Sequence, residues 1–107
     1  MMIVAAALMM MLAAPSADAV GAGRKDFSQC LSAQVKPALE KKLAVGDFQS
    51  TMRKACADKE AAFRAAIVAV NKADKMPDPA AQADADDQIA EYVDKITAEY
   101  EESSSAG

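Results

Sequence analysis

Cys30 and Cys56 are the two cysteines of the chain, and histidine is absent altogether. Without imidazole the usual general base and the commonest transition-metal ligand are missing. Ser28, Ser32, Ser50 and Thr51 therefore have no base to activate them as nucleophiles, and no Gly-rich loop is present to cradle a phosphate. The cysteines lie 26 positions apart, outside CxxC redox spacing, and no second cysteine pair suggests a metal. Two sulfurs in an oxidising compartment allow a single intramolecular connectivity, so a structural bridge is expected. By chain entropy such a loop contributes roughly 3 kcal/mol, a large share of a small domain's stability. A reactive or intermolecular thiol is the alternative. No catalytic, cofactor-binding or metal-ligating residue is assigned, and the reading is non-enzymatic.

Carboxylates are the other candidates. Asp84, Asp87, Glu91 and Asp94, continued by Glu101, form a ridge on a helix, opposite Ile89, Tyr92 and Ile96. If the apolar stripe is buried, the ridge faces water, and that phase speaks against docking of the acidic helix onto the basic ones. A solvated face is one reading. A face that meets a cationic partner, or that responds to pH because carboxylates at i, i+3 and i, i+4 repel one another, is the other. Asp84-x-Asp86 opens like an EF-hand loop, but Ile89 stands where Gly is required and Lys95 where a bidentate carboxylate is required. A glycosidase pair needs a cleft, and these groups lie along one convex face. From Arg24 to Lys75 eleven lysines and arginines face six carboxylates; from Met76 onward one lysine faces nine. The acidic balance argues against nucleic-acid binding.

The compartment is read from the N-terminus. Met2 to Ala14 is an unbroken apolar run, followed by Pro15-Ser16-Ala17-Asp18-Ala19. A short apolar stretch, a helix-breaking Pro and small residues with an A-x-A pattern at Ala17 and Ala19 resemble a secretory signal. Cleavage after Ala19 makes Val20 the mature N-terminus, and the run falls short of the roughly 18 residues of a membrane span. No Lys or Arg precedes it, which departs from the pattern; an uncleaved apolar anchor is the competing reading. Residues 1–19 are thus expected to be a signal peptide, and the product to be periplasmic or secreted.

These groups need elements to hold them. Residues 20–25 read as a flexible lead and 26–101 as a single helical domain. Asp26 caps a first helix over 26–36, with Gln29 reaching back as in a capping box. Pro37 starts a short second helix that ends near Gly46. Asp47 caps a third over 47–74, whose stripe comprises Phe48, Met52, Cys56, Phe63, Ile67 and Val70, filled in by Ala55 and Ala66. Lys59 falls in that sector and has to snorkel. Ala57, Ala61, Ala65 and Val68 form a second row on the opposite side: either the helix is central with neighbours on both sides, or the row is exposed, which Lys54, Arg64 and Lys72 on that side favour. Asp78 and Pro79 restart the chain for a fourth helix over 79–101, its stripe Ala85, Ile89, Tyr92, Val93, Ile96 and Tyr100. The two tyrosines are expected in the core with wet hydroxyls. A short turn makes 47–74 and 79–101 an antiparallel hairpin, and 102–107 a disordered tail. The class is all-α, a small bundle of three to four helices stapled by one disulfide. A straight hairpin turning at Gly46 leaves Cys30 and Cys56 staggered by about 9 Å, so the bridge requires a bent connector.

The stretch Cys56-Ala57-Asp58-Lys59-Glu60-Ala61-Ala62-Phe63 resembles the segment after the second cysteine in small periplasmic acid-stress chaperones, although the two cysteines lie closer together here. That resemblance implies an exported helical holdase closed by one disulfide. Residue chemistry alone implies an exported helical protein that binds another protein or an envelope component, with self-association open. It implies no cofactor and no stable membrane span after cleavage.

Overall fold

Five helices account for nearly all of residues 16–106, which the computed structural model describes: α1 (Ala17–Ala33), α2 (Val35–Glu40), α3 (Val45–Ala55), α4 (Ala57–Ala73) and α5 (Asp78–Ala106). The expected all-α bundle is what forms. The apolar run Met2–Ala14 lies outside the described residues; Ala17, Ala19 and Val20 lie in the first turn of α1.

Helix α1 begins nine residues before the expected start at Asp26. Ser16 is itself an N-cap, its Oγ accepting from the Ala19 amide at 3.1 Å. The lead expected to be flexible is therefore helical, despite Gly21 and Gly23. Packing explains why. Val20 rests against the core, and Gly23 lets α1 approach α4 so closely that a Cβ there would lie 3.1 Å from Phe63 Cα. Arg24 then covers the Phe63 ring at 5.8 Å.

Pro37 ends α1 earlier than the expected Lys36. Its missing amide is the one that would bond the Ala33 carbonyl, and α1 stops at Ala33. Pro37 then occupies the third position of α2 rather than the first, still within the turn where no donor is needed. Helix α2 closes at Glu40, well before Gly46. Lys42 adopts φ 55°, with Leu43 N–H donating to Ala38 O and Lys42 N–H to Leu39 O, both at 3.1 Å. This is a Schellman closure with lysine where glycine is usual. Gly46 instead falls in the first turn of α3, capped by the extended backbone of Ala44, and Asp47 serves that turn as a favourable charge rather than as the cap.

The helix expected over 47–74 is two helices, α3 and α4, meeting at Cys56 with φ −106° and ψ 18°. Cys56 is bonded to Cys30, their Cα atoms 5.9 Å apart. An ion pair at 3.1 Å, Arg53 to Glu60, spans the junction. Ala55 and Lys59, expected on the buried sector, are exposed on either side of it. Helix α4 ends in a second Schellman closure with Lys75 at φ 69°, Met76 N–H donating to Asn71 O at 2.9 Å. Helix α5 continues past the expected end at Glu101 to Ala106. Ser104 and Ser105 hydroxyls donate to the Glu101 carbonyl at 3.0 and 2.9 Å, so residues 102–106 of the expected disordered tail continue the helix.

Helix α4 is central, packed by α1 on one side and α5 on the other, while α2 and α3 close against the C-terminal half of α5. The bent connector that the cysteine spacing requires is α2 with the turn at 41–44. Phe27, Leu31, Phe63 and Ile67 fill the α1–α4 seam, and Ala85, Ile89, Val93, Ile96 and Tyr100 present the expected stripe of α5. No polar or charged residue other than Tyr100 is buried among the described residues. The Tyr100 hydroxyl, expected wet, is not. It donates to Leu43 O at 2.6 Å with Ala38 O a second acceptor at 3.2 Å, and its ring stacks on Phe48 at 4.0 Å. Tyr92 is half-exposed, edge-on to Phe63.

Tyr100→Phe keeps the stack but strands the Leu43 carbonyl. It is expected to lower unfolding free energy by about 1–3 kcal/mol, read as a lower urea midpoint at unchanged slope.

Candidate interaction surface

Of the four ridge carboxylates, the structure separates one from the rest. Asp84 is half-buried against α4, accepting from Asn71 Nδ2 at 2.8 Å and Gln88 Nε2 at 3.1 Å. Asp87, Glu91 and Asp94 are exposed, and no ion pair reaches them among the described residues. Asp84 through Lys95 lies wholly inside α5, so the sequence that opens like a calcium loop is continuous helix. Among the described residues no group of three or more Cys, Asp or Glu side chains is positioned to hold a metal.

The acidic and basic helices do dock, contrary to the expectation from the ridge, through residues the ridge omits. Arg64 donates to Gln82 Oε1 at 3.1 Å and pairs with Asp86, while Lys72 pairs with Asp78 at 3.4 Å. Asp78, Gln82 and Asp86 recur at a spacing of four, a row along one flank of α5. Arg64 and Asp86 are equidistant in sequence from Lys75, as are Lys72 and Asp78. That symmetry about the turn is the sequence signal that locates the seam, because antiparallel helices of equal rise oppose equidistant residues. Surface pairs of this kind contribute at most about 1 kcal/mol each, so they set register more than stability.

Beside this seam the alanine row is uncovered, as its phase predicts. Ala61, Ala65 and Ala69, with half-buried Val68, floor an open groove edged by Arg64, Lys72 and Gln82. A second groove lies on the α1 side of α4, between Val20, Ile67 and Val70 with Arg24, Asn71 and Gln88 at its edge. A third lies where Leu39, Leu43 and Tyr100 meet Lys42, Ser103 and Ser104. All three present apolar carbon with one or two cations at the rim. Ser32 on α1 and Ser50 and Thr51 on α3 are exposed, and Ser28 donates to its own helix at Lys25 O. These hydroxyls do not converge on a common site.

Compared with protein-family models, characterised proteins and solved structures, the chain matches none.

Asp87 and Asp94 flank Glu91 at i−4 and i+3, so each repels it. Replacing both by asparagine is expected to raise thermal stability by about 0.2–0.5 kcal/mol per relieved pair. Melting in low salt detects the gain, and roughly 1 M salt erases it by screening.

Proposed function

We propose that this is an exported, non-enzymatic helical protein that acts by binding another protein or an envelope component. The observation that carries the reading is the uncovered groove of α4, with its floor of Ala61, Ala65, Val68 and Ala69 and its edge of Arg64 and Lys72. Small side chains let a second backbone approach closely, while Arg64 and Lys72 are already paired with Asp86 and Asp78 across the seam, so apolar contact supplies the affinity.

Export is the companion proposal, resting on the apolar run, the A-x-A pattern and the bridge between Cys30 and Cys56. Cleavage after Ala19 removes the Ser16 cap, worth about 1 kcal/mol to a helix, and so loosens the first turn of α1. It leaves the contact of Gly23 with Phe63 in place. Intact-mass analysis of protein recovered from the envelope is expected to begin at Val20. Retention of residues 1–19 removes the export proposal.

A second reading, an acid-stress holdase, is favoured by the stretch Cys56–Phe63, which opens α4 directly at the bridge and ends on the buried Phe63 ring. Suppression of client aggregation at about pH 3, where many proteins lose specific packing, distinguishes it from a dedicated binder.

Cross-linking in cells followed by mass spectrometry tests the binding role. Ala65→Glu places a carboxylate on the exposed floor of the groove. It is expected to abolish the cross-links while changing stability by no more than about 0.5 kcal/mol. Undiminished cross-linking in this variant removes the groove as the binding face.

A further inference from the structure

The junction at Cys56 has no cause in the local sequence. Helix breaks arise at proline, at glycine or Gly/Ser pairs, at π-bulges, or where a group is forced into the hydrogen-bond ladder. From Asp47 to Met76 there is neither glycine nor proline, and Lys54, Ala55, Ala57, Lys59, Glu60, Ala61 and Ala62 around the junction are strong helix formers apart from the intervening cysteine and Asp58. The backbone ladder runs up to the junction and resumes from it, with Cys56 N–H on Met52 O at 3.1 Å and Glu60 N–H on Cys56 O at 2.9 Å. Only the amides between those two bonds, on Ala57, Asp58 and Lys59, occupy a helix first turn, where no partner exists within the helix. All three residues are exposed. What distinguishes Cys56 is its tie to Cys30, which lies in the last turn of α1, four residues before the Gln34 junction.

We infer that the Cys30–Cys56 bridge holds α3 and α4 apart as two helices, and that its reduction lets them fuse into one continuous helix over 45–73. The reductant is a dithiol. Its thiolate attacks the Sγ of Cys30, the half-buried partner, and breaks the S–S bond. Cys56, fully buried, leaves as a thiolate and takes a proton. The second thiol of the reductant then attacks the mixed disulfide, releasing Cys30 as a thiol and the reductant as its own disulfide. Two electrons and two protons pass to the protein. With Cys56 free, the amides of Ala57, Asp58 and Lys59 take the carbonyls of Arg53, Lys54 and Ala55. The last turn of α1 loses its tether and frays. The long hairpin with α5 survives, because Gln49 with Thr97 and Arg64 with Asp86 already hold α3 and α4 along that helix.

Hydrogen exchange on the full chain, before and after treatment with dithiothreitol, tests this. Amides 57–59 are expected to exchange about tenfold more slowly after reduction, while those of the last turn of α1 exchange faster. Loosening alone cannot slow an amide, so the opposite signs separate fusion from partial unfolding. The Cys30→Ala/Cys56→Ala variant is expected to show the reduced pattern without reductant. Lys59→Pro places proline third in α4, the position Pro37 already occupies in α2, where the oxidised form tolerates it and a continuous helix does not. Its amides 57 and 58 are expected to stay fast after reduction. Unchanged or faster exchange at 57–59 in the reduced parent, or slowing in Lys59→Pro equal to the parent's, overturns the inference.

Discussion

One covalent bond constrains more of this molecule than any packing contact. The link between Cys30 and Cys56 closes a loop that contains α2, its Schellman turn and all of α3, and it joins the last turn of α1 to the first residue before α4. In the unfolded chain that closure removes conformational entropy equivalent to about 3–4 kcal/mol, against a total stability for small domains of about 5–15 kcal/mol. The enclosed segment needs the help. Helix α2 spans six residues and α3 eleven, below the length at which isolated helices are stable in water. Neither forms without being held against something larger.

The larger partner is α5, whose 29 residues extend for about 43 Å. Its N-terminal half is registered to α4 by side-chain pairs symmetric about the turn, and its C-terminal half receives α2 and α3. The uneven charge along the chain acquires a structural role here. The basic helices precede the turn and the acidic helix follows it, so the hairpin brings opposite charges together along one flank and leaves Asp87, Glu91 and Asp94 on another. Only the first set has a visible task. The second keeps the outer face hydrated.

How much of this is legible in the sequence divides along a physical line. Periodicity located the stripe of α5, the hairpin, the turn and the uncovered alanine row, because these depend on local repeat and chain direction. The cysteine spacing by itself demands a bent connector. What sequence reasoning missed depends on contacts across the fold. Helix α1 starts early because Gly23 fits against Phe63, a long-range fit that turns two nominally helix-weakening glycines into an asset. The junction at Cys56 lies inside a strongly helical stretch and is set by a residue 26 positions away. Of the ridge carboxylates, Asp84 is half-buried rather than solvated because helical phase against the apolar stripe alone does not show Asn71 on the neighbouring helix.

Tyr100 sets a comparable long-range constraint at the opposite end of α3. Sequence reasoning places a tyrosine's ring correctly and its hydroxyl poorly, since the hydroxyl's partner is a backbone carbonyl that exists only once the chain has turned. Here the carbonyls are those of Leu43 and Ala38, left over where α2 ends at a lysine in the left-handed region. A glycine at that corner would turn more easily. With lysine there, the closure is strained, and a buried hydrogen bond from 57 residues downstream helps to hold it. Helix α3 is thus fixed at both ends by interactions from elsewhere in the chain, a sulfur at its exit and a phenol at its entrance. That arrangement leaves its own sequence little to do beyond presenting Phe48 and Met52 to the core.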